Sequence, residues 1–311
     1  MSTPLRSTDG QPAHVPVMLA EALEGLAVEP GGTYVDCTLG DGGHTEAILV
    51  SARAEASQPG PHGRVLGIDA DPDAIVASTK RLERFGPAAV LVNANFDTLH
   101  QTVVAAGFFP VDGVLFDFGL SSRQLDAEDR GFSFRRPGPL DMRFSPDQES
   151  SADDLVNRLP EEELANLIFR FGEEPRSRRI AKAIVRDRPH HDAQELAELV
   201  RRSSGYRHGR THPATRTFQA LRIAVNHEID SLREGLEQAV RVLRRGGRFV
   251  TIAYHSLEDR EAKRFIASSS DVLRAVNKKV LRPSDEEVDR NPRSRSAKMR
   301  IAEMRAVDLE V

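Results

Sequence analysis

The sequence predicts an α/β fold in which a helical insert interrupts a doubly wound parallel sheet. First, short β-branched segments alternate with longer helical segments from Thr33 to about Gly119, which is typical of a parallel sheet covered by helices. Second, a glycine-rich turn follows the first predicted strand directly. Third, the alternation stops near Leu120 and resumes near Arg248, so the sheet is expected to continue after the insert.

The elements are predicted in order along the chain. Four strands are expected at 33–37, 64–69, 88–93 and 111–118, with helices near 44–53, 72–85 and 98–106 between them. Four helical segments without strands follow, at 152–157, 160–170, 175–187 and 193–203. A long amphipathic run at 215–243 leads into a strand at 248–254, a helix near 257–268 and a last strand near 299–307. The predicted domains are residues 1–124 and 213–311 for the sheet, and 125–212 for the insert.

The glycine-rich turn predicts a nucleotide-type cofactor. The segment from Asp36 through Gly40, Gly42 and Gly43 to His44 would bring backbone N–H groups close to a ligand without obstruction by side chains. The next strand ends in Asp69, which could accept hydrogen bonds from both ribose hydroxyls of an adenosine. Such a turn alone serves NAD, FAD or S-adenosylmethionine. Because the third glycine of the dinucleotide fingerprint is missing, a pyrophosphate is disfavoured.

Two further strand ends are expected to complete the pocket. Phe96 follows the third strand and could pack on an adenine face, although a place in the core is an equal alternative. Asp117 ends an otherwise apolar fourth strand, so its carboxylate needs a partner or water. Ligands of doubly wound sheets bind outside the carboxyl ends of the strands, where strand order reverses. Asp117 is therefore predicted to face the cofactor crevice.

Composition restricts the compartment and the partners. No apolar run reaches the roughly 20 residues of a membrane helix, so we expect a cytoplasmic protein with no membrane partner. The single cysteine, Cys37, excludes an internal disulfide framework. Residues 1–169 hold 12 Lys+Arg against 26 Asp+Glu, whereas 170–222 hold 13 against 6 and 274–305 hold 10 against 5. These two basic stretches indicate contacts to a polyanion, although solvated helix faces would look the same.

Several sequence blocks together resemble one family. They are His14-Val15-Pro16-Val17, the Gly40–His44 turn, 118–126 (FGLSSRQLD), 130–134 (RGFSF), 138–143 (GPLDMR), 212–223 (HPATRTFQALRI), 255–260 (HSLEDR) and 291–296 (NPRSRS). In this combination the chain is similar to the bacterial 16S ribosomal RNA cytosine-N4 methyltransferases, the ribosomal small subunit methyltransferase H family. The resemblance runs from about residue 14 to 305.

The resemblance implies a class I, Rossmann-like S-adenosylmethionine methyltransferase sheet, with that compound as cofactor. It also implies that the substrate is a decoding-centre (P-site) cytidine of 16S rRNA within the small ribosomal subunit. By matching position, it places the cofactor contacts on Gly42, Gly43, His44, Asp69, Phe96, Asp117 and Gln124. The chain departs from the family pattern at Phe118 and Tyr254, where aliphatic and Phe residues are common.

The reaction predicts roles for a few residues. Methylation of cytosine C5 would require a cysteine nucleophile on the substrate side, whereas Cys37 lies in the cofactor turn. An exocyclic amine needs only alignment and an acceptor, for which we expect Asp117 or the backbone carbonyl of Phe118. His255 could face the target base or, equally, cap the turn that follows it. No two of Asp41, His44 and Asp69 have the helical spacing of a metal site, so no metal is predicted.

The insert is expected to recognise RNA. Candidate contacts in and near it are Arg178, Arg179, Lys182, His212 and Arg216, and a second anchor is expected at Arg293 and Arg295. Aromatic residues make up only 5% of the chain and tryptophan is absent, so a preassembled particle is expected as substrate rather than naked single strands. Two other classes remain: a nicotinamide or flavin oxidoreductase, and a non-catalytic assembly factor that grips ribosomal RNA.

Overall fold

The computed structural model describes residues 16–53, 62–205 and 212–305. His14 and Val15 of the first sequence block, and the last two residues of the strand predicted near 299–307, lie outside these ranges. The chain divides into two compact units. The sheet unit comprises residues 1–119 and 231–311, and the helical unit comprises residues 120–230.

The sheet unit contains seven strands: β1 (Thr33–Asp36), β2 (Arg64–Asp69), β3 (Ala89–Asn93), β4 (Val111–Asp117), β5 (Leu243–Ala253), β6 (Leu273–Ala275) and β7 (Lys298–Met304). Their order is β3-β2-β1-β4-β5-β7-β6. Strands β1 to β5 pair in parallel, whereas β7 is antiparallel to both β5 and β6. This is the sheet of class I S-adenosylmethionine methyltransferases, so the predicted fold class is confirmed.

The helices assigned to the chain are numbered in order: α1 (Leu19–Leu26), α2 (Gly43–Ser51), α3 (Pro72–Leu82), α4 (Leu99–Ala105), α5 (Ser122–Asp126), α6 (Ala152–Arg158), α7 (Glu161–Gly172), α8 (Ser177–Arg186), α9 (Ala193–Ser204), α10 (Thr215–Val225), α11 (Glu228–Val242), α12 (Ser256–Ser268) and α13 (Asp285–Arg290). Short 3₁₀ turns lie at Glu83–Ala88, Phe96–Thr98 and Pro292–Ser296. No helix in the described ranges combines the length and apolar composition that crossing a lipid bilayer requires.

Strand β4 shows why the central sheet is apolar on both faces. Val114 and Phe116 belong to a core cluster that includes side chains of α4 and α11, whereas Leu115 belongs to a second cluster with side chains of α1 and α2. Successive side chains of a strand point to opposite faces, so burial on both faces requires a nearly continuous apolar run. The first polar side chain at the end of this run is Asp117, which stands at the edge of the sheet.

The helical unit has its own core and extends further along the chain than the predicted insert at 125–212. Its core includes Leu164 and Ile168 of α7 together with Phe218 and Leu221 of α10. Helices α7 and α10 also approach closely at Gly172, where a Cβ atom would lie 2.5 Å from the Arg216 carbonyl oxygen. Because α10 packs into this core, the compact unit ends at Asp230.

The amphipathic run predicted at 215–243 is two helices, so that prediction was wrong. Helix α10 ends at Val225 and is capped by Asn226, whose side-chain amide donates to the carbonyl oxygens of Arg222 and Met142 and whose amide oxygen accepts from Phe144 N. His227 then adopts a left-handed conformation with φ of 50°, and α11 begins at Glu228. Hydrophobic periodicity alone does not reveal such a break, because both helices keep an apolar face.

Candidate functional site

The ends of β1, β2 and β4 place three aspartates at one edge of the sheet. Asp36 pairs in register with Gly67 of β2 and with Leu115 of β4. Asp69 and Asp117 end those two strands, and each lies two residues beyond the position that pairs with Asp36. Strand order reverses between β1 and β4, the position at which doubly wound sheets bind ligands. The sequence predicted this position for Asp69 and Asp117 but did not single out Asp36.

The glycine turn after β1 is tied to the end of β2. Gly40 and Gly42 have φ of 51° and 75°, a left-handed conformation that favours glycine. The Gly40 N–H donates to Asp69 Oδ2 at 2.8 Å, and the Asp71 N–H donates to Asp69 Oδ1 at 2.9 Å. A Cβ atom at Gly43 would lie 2.5 Å from Pro16 Cγ, so the start of α2 admits no side chain there. These contacts therefore hold the turn and the first residues of α2 in one backbone conformation.

Asp69 carries an unusual carboxyl group. Its withdrawal from water, with a smaller contribution from the charges of Asp71 and Asp36, raises its pKa to about 7. The two backbone N–H groups favour the ionised form but offset only part of this rise. A carboxylate with both oxygens already oriented by the backbone retains lone pairs for two further donors, which is the requirement of a vicinal diol.

Asp117 is the centre of a half-buried hydrogen-bonding group. The Tyr254 hydroxyl donates to Asp117 Oδ1 at 2.8 Å, and the Thr38 hydroxyl accepts from Asp117 N at 2.6 Å. Burial and the neighbouring Asp117 raise the pKa of Tyr254 well above its usual value, so this hydroxyl remains a donor at neutral pH. Asp117 therefore has one oxygen fixed by a neutral donor. Sequence reasoning missed Tyr254, since an aromatic residue at a strand end gives no signal of a long-range partner.

His44 lies beside the second oxygen of Asp117. Its Nε2 atom is 3.4 Å from Asp117 Oδ2 and, among the described residues, has no hydrogen-bond partner of good geometry, although the side chain is buried. Burial acts to lower the pKa of His44, but the Asp117 and Asp36 carboxylates outweigh it and the pKa is raised. A buried imidazole nitrogen without a well-aligned partner is uncommon, so this nitrogen is a candidate to hydrogen-bond a ligand.

Asp36 supports the turn from beneath. Its Oδ2 accepts from the Thr45 hydroxyl at 2.7 Å and its Oδ1 from Thr38 N at 3.2 Å. Complete burial raises the pKa of Asp36, and the nearby His44 opposes this rise. The side chain thus joins β1, the turn and α2. A polar residue inside a short apolar strand was the only sequence signal for this role.

Phe96 packs with aromatic neighbours. Its ring meets Phe116 and Phe118 edge to face, with centroids 5.6 and 6.3 Å apart. A Cβ atom at Gly235 of α11 would lie 2.7 Å from Phe96 Cδ2, so that helix closes over the ring. The core alternative raised from the sequence therefore accounts for much of this side chain, which remains partly exposed.

His255 caps helix α12. Its Nδ1 accepts from Glu258 N at 3.4 Å, and Glu258 Oε2 accepts in return from His255 N at 3.3 Å and Tyr254 N at 2.8 Å. This reciprocal arrangement is a capping box. His255 Nε2 lies 2.9 Å from Glu258 Oε1 without hydrogen-bond geometry. The geometry favours the capping alternative over a catalytic role.

The remaining predicted residues lie in both units. In the helical unit, Gln124 is buried in a capping box with Ser121, and Arg178, Arg179 and Lys182 are exposed on α8. His212 stacks on Phe134 with centroids 4.8 Å apart, and Arg216 donates to the Glu173 carbonyl oxygen at 3.2 Å. In the sheet unit, Arg293 and Arg295 are exposed on the Pro292–Ser296 turn.

Comparison with known proteins gives close relatives over nearly the whole chain. A relative from Dehalococcoides mccartyi named ribosomal RNA small subunit methyltransferase H is 52% identical over 307 residues, covering 93% of this chain and 86% of its own. One of the same name from Thermomicrobium roseum is 48% identical and covers 95% and 94% of the two chains. A solved rRNA methylase from Streptococcus thermophilus has 11% identity and a TM-score of 0.46, covering 94% and 99%; the fold assignment rests on the strand order instead.

The description of the matching family model is the MraW methylase family, and the match covers residues 11–305. That span includes the glycine turn, the three strand-end aspartates and the helical unit. The chain therefore belongs to the MraW methylase family and uses S-adenosylmethionine as its methyl donor.

Proposed function

We propose that this protein transfers a methyl group to the exocyclic N4 of a decoding-centre (P-site) cytidine of 16S rRNA, within the small ribosomal subunit in the cytoplasm. The observation that carries the proposal is the similarity to relatives named ribosomal RNA small subunit methyltransferase H, which are 52% and 48% identical to this chain over more than nine-tenths of its length. The choice of an amine as acceptor rests on the chemistry of the strand-end group around Asp117.

The strand-end residues fit the cofactor. The Nε2 of His44 has no well-aligned hydrogen-bond partner among the described residues, and the oxygens of Asp69 are oriented by Gly40 N and Asp71 N, so both side chains can meet a polar ligand. We assign the ribose hydroxyls to Asp69 and the methionine end to His44 and Asp117. When bound, S-adenosylmethionine supplies an electrophilic methyl on a sulfonium. In the sheet unit the proposed cofactor set is Gly42, Gly43, His44, Asp69, Phe96 and Asp117; the contact expected from Gln124, in the helical unit, stays a prediction.

The atom that receives the methyl group is assigned by excluding covalent catalysis. Cys37 is fully buried, and burial raises the pKa of its thiol well above the usual value. A thiol in that state does not add to a pyrimidine ring, because the thiolate is the nucleophile. An exocyclic amine requires no such addition, only alignment and an acceptor for its N–H. N4 chemistry is therefore the reading that these residues support.

Asp117 is the group proposed to accept the N–H of the attacking amine. Tyr254 fixes Oδ1, while Oδ2 lies 3.4 Å from His44 Nε2, so the carboxylate has a defined orientation before substrate arrives. In this arrangement Oδ2 would accept the amine N–H as the nitrogen attacks. The Phe118 carbonyl oxygen, one residue further along, is the alternative acceptor.

Substrate recognition is assigned to basic residues on the protein surface. In the helical unit these are Arg178, Arg179, Lys182, His212 and Arg216, and in the sheet unit they are Arg293 and Arg295. Such side chains bind phosphates and fix orientation without reading sequence. Arg216 already contacts Glu173 and lies 4.0 Å from buried Glu174, so we expect it to contribute less than the exposed Arg178 and Arg179.

Labelled S-adenosylmethionine tests the proposal. The protein is incubated with small subunits lacking this methyl group, with naked 16S rRNA and with DNA, and the modified nucleoside is then identified. Label in N4-methylcytidine of the subunits is expected; label in DNA alone, or in another nucleoside, would refute it. Subunit binding without any label would favour the assembly-factor alternative.

A pair of variants tests the acceptor. Asp117→Asn is expected to bind S-adenosylmethionine but to lose methyl transfer. The matched control is Asp112→Asn, at the opposite end of β4, where the side chain accepts from Thr33 N and an asparagine can still do so. Full activity of Asp117→Asn would assign the acceptor role to the Phe118 carbonyl.

A further inference from the structure

The helical unit contains a cavity remote in sequence from the cofactor residues. It has a volume of about 470 Å³ and lies between the C-terminal half of α7, the start of α8 and Gly205 after α9. This is within the size range of pockets that hold small ligands. The lining residues that the structure describes include three arginines, one phenylalanine and no carboxylate.

The phenylalanine is Phe169, whose side chain is 61% exposed. Helix α7 buries Leu164, Ala165 and Ile168 in the core of the helical unit, so Phe169 lies off its apolar face. A large aromatic ring that is exposed to water at the mouth of a cavity contributes little to the stability of the fold. It is, however, a flat surface on which any nucleobase can stack.

The polar lining supplies anion-binding groups. Arg178 and Arg179 are exposed and form no ion pair with any described residue. A Cβ atom at Gly205 would lie 3.3 Å from Arg179 Nη1 and 3.6 Å from Arg176 Nη1, so two guanidinium groups converge there. Ser177 also lines the cavity, and this residue is only 5% exposed.

From this geometry we infer that the cavity holds one unpaired nucleotide of the RNA substrate. The base stacks on Phe169, and the adjoining phosphates pair with Arg178 and Arg179. Ser177 is available to donate to the same phosphate or to the ribose. The inference rests on the proposed rRNA methylation and adds a second contact, distinct from the target base. Arginine clusters beside an aromatic ring are typical of single-stranded RNA recognition.

Tryptophan fluorescence tests the stacking directly, because the chain contains no tryptophan. Phe169→Trp places a single reporter at the cavity, and Phe109→Trp, at another exposed phenylalanine (53%) in the sheet unit, is the matched control. Titration with single-stranded oligoribonucleotides is expected to quench Phe169→Trp and not Phe109→Trp. Polyphosphate, which has charge without bases, is expected to quench neither.

Binding of unmethylated small subunits gives a second readout. Phe169→Leu keeps an apolar side chain without the ring and is expected to weaken binding about tenfold, with Phe169→Trp close to wild type. Replacing Arg178 and Arg179 with Gln should reduce the slope of log K against log salt by about 1.4, the value for two phosphates on a single strand. Arg202→Gln, at an exposed residue of α9 that is outside the lining and outside the proposed RNA contacts, separates this effect from that of general positive charge.

The outcomes distinguish the two proposals. If the wild-type protein methylates subunits while Phe169→Trp is not quenched by RNA and Phe169→Leu binds normally, the cavity inference is wrong and the proposed function stands. If subunit binding depends on Phe169 but RNA causes no quenching, the cavity binds a ribosomal protein and the inference is again wrong. Equal quenching by polyphosphate would reduce the cavity to an anion site, which also overturns the stacking.

Discussion

The affinity for S-adenosylmethionine should rise with pH through the ionisation of Asp69. This carboxyl group accepts from Gly40 N and Asp71 N and has a pKa of about 7. Only its ionised form accepts from both ribose hydroxyls. About one molecule in eleven is ionised at pH 6 and about ten in eleven at pH 8, so the cofactor should bind about tenfold more tightly at pH 8, equivalent to about 1.4 kcal/mol.

The same ionisation lowers the stability of the cofactor-free protein as the pH rises. An unfolded chain releases the Asp69 proton near its ordinary pKa of 3.8, whereas the folded chain retains it until about pH 7. The folded state therefore binds more protons in this interval, and the contribution of Asp69 to stability falls as pH rises from about 4 to 7. Relative to wild type, Asp69→Asn should gain stability across this interval and show no further gain above it.

Calorimetric titration with S-adenosylhomocysteine, the non-reactive product, measures the affinity at several pH values. Titration in two buffers of different ionisation enthalpy also counts the protons released, which should approach one near pH 6. Asp69→Asn is the control, because it keeps His44, whose raised pKa adds its own titration. An affinity independent of pH, or the same pH dependence in Asp69→Asn, would refute the assignment of Asp69.

Further substitutions, at His255, at Tyr254 and at two glycines, have defined outcomes. His255→Ala should lower the free energy of unfolding, measured by urea denaturation, by about 1 kcal/mol, because it removes the helix cap. His255→Asn keeps a capping side chain and should be close to wild type in stability. Loss of methyl transfer in a folded His255→Asn would show that the imidazole is catalytic. Tyr254→Phe removes a donor to Asp117 and should lower kcat/KM about tenfold, the equivalent of a charged hydrogen bond; an unchanged rate would contradict that contact. Gly42→Ala and Gly107→Ala, at φ of 75° and 71°, should each cost about 1–2 kcal/mol, but only Gly42→Ala should weaken cofactor binding in calorimetry.

Sequence periodicity was sufficient for the main strands and failed at particular helices. Strand β2 was predicted with the bounds that the structure gives, because a buried strand followed by a loop has an unmistakable apolar run. Helix α13 and strand β6 were not predicted, since Asp285–Arg290 is almost entirely charged and Leu273–Ala275 is only three residues long. Short elements of that kind are stabilised by the neighbours on which they pack, and their own sequence has little pattern.

The predicted site residues divide in the same way. Asp69 and Asp117 could be placed from sequence because parallel strands end at one edge of a sheet. The cap formed by His255 depends on Glu258 reaching back across the first turn of α12, and the two roles of that histidine could not be separated without it. The surroundings of Phe96 depend on α11, which is more than a hundred residues away in the chain.

The sequence by itself determined the family, the cofactor and the strand ends that bear polar groups. Local order in the chain specifies these features: a strand, a glycine turn and a carboxylate at the next strand end. Only the tertiary structure decided that Tyr254 holds Asp117, that His44 Nε2 lies beside Asp117 without hydrogen-bond geometry, and that Phe169 stands beside Arg178 and Arg179. The physical reason is that hydrogen bonds and cavities join side chains distant in sequence, and packing, not periodicity, sets those distances.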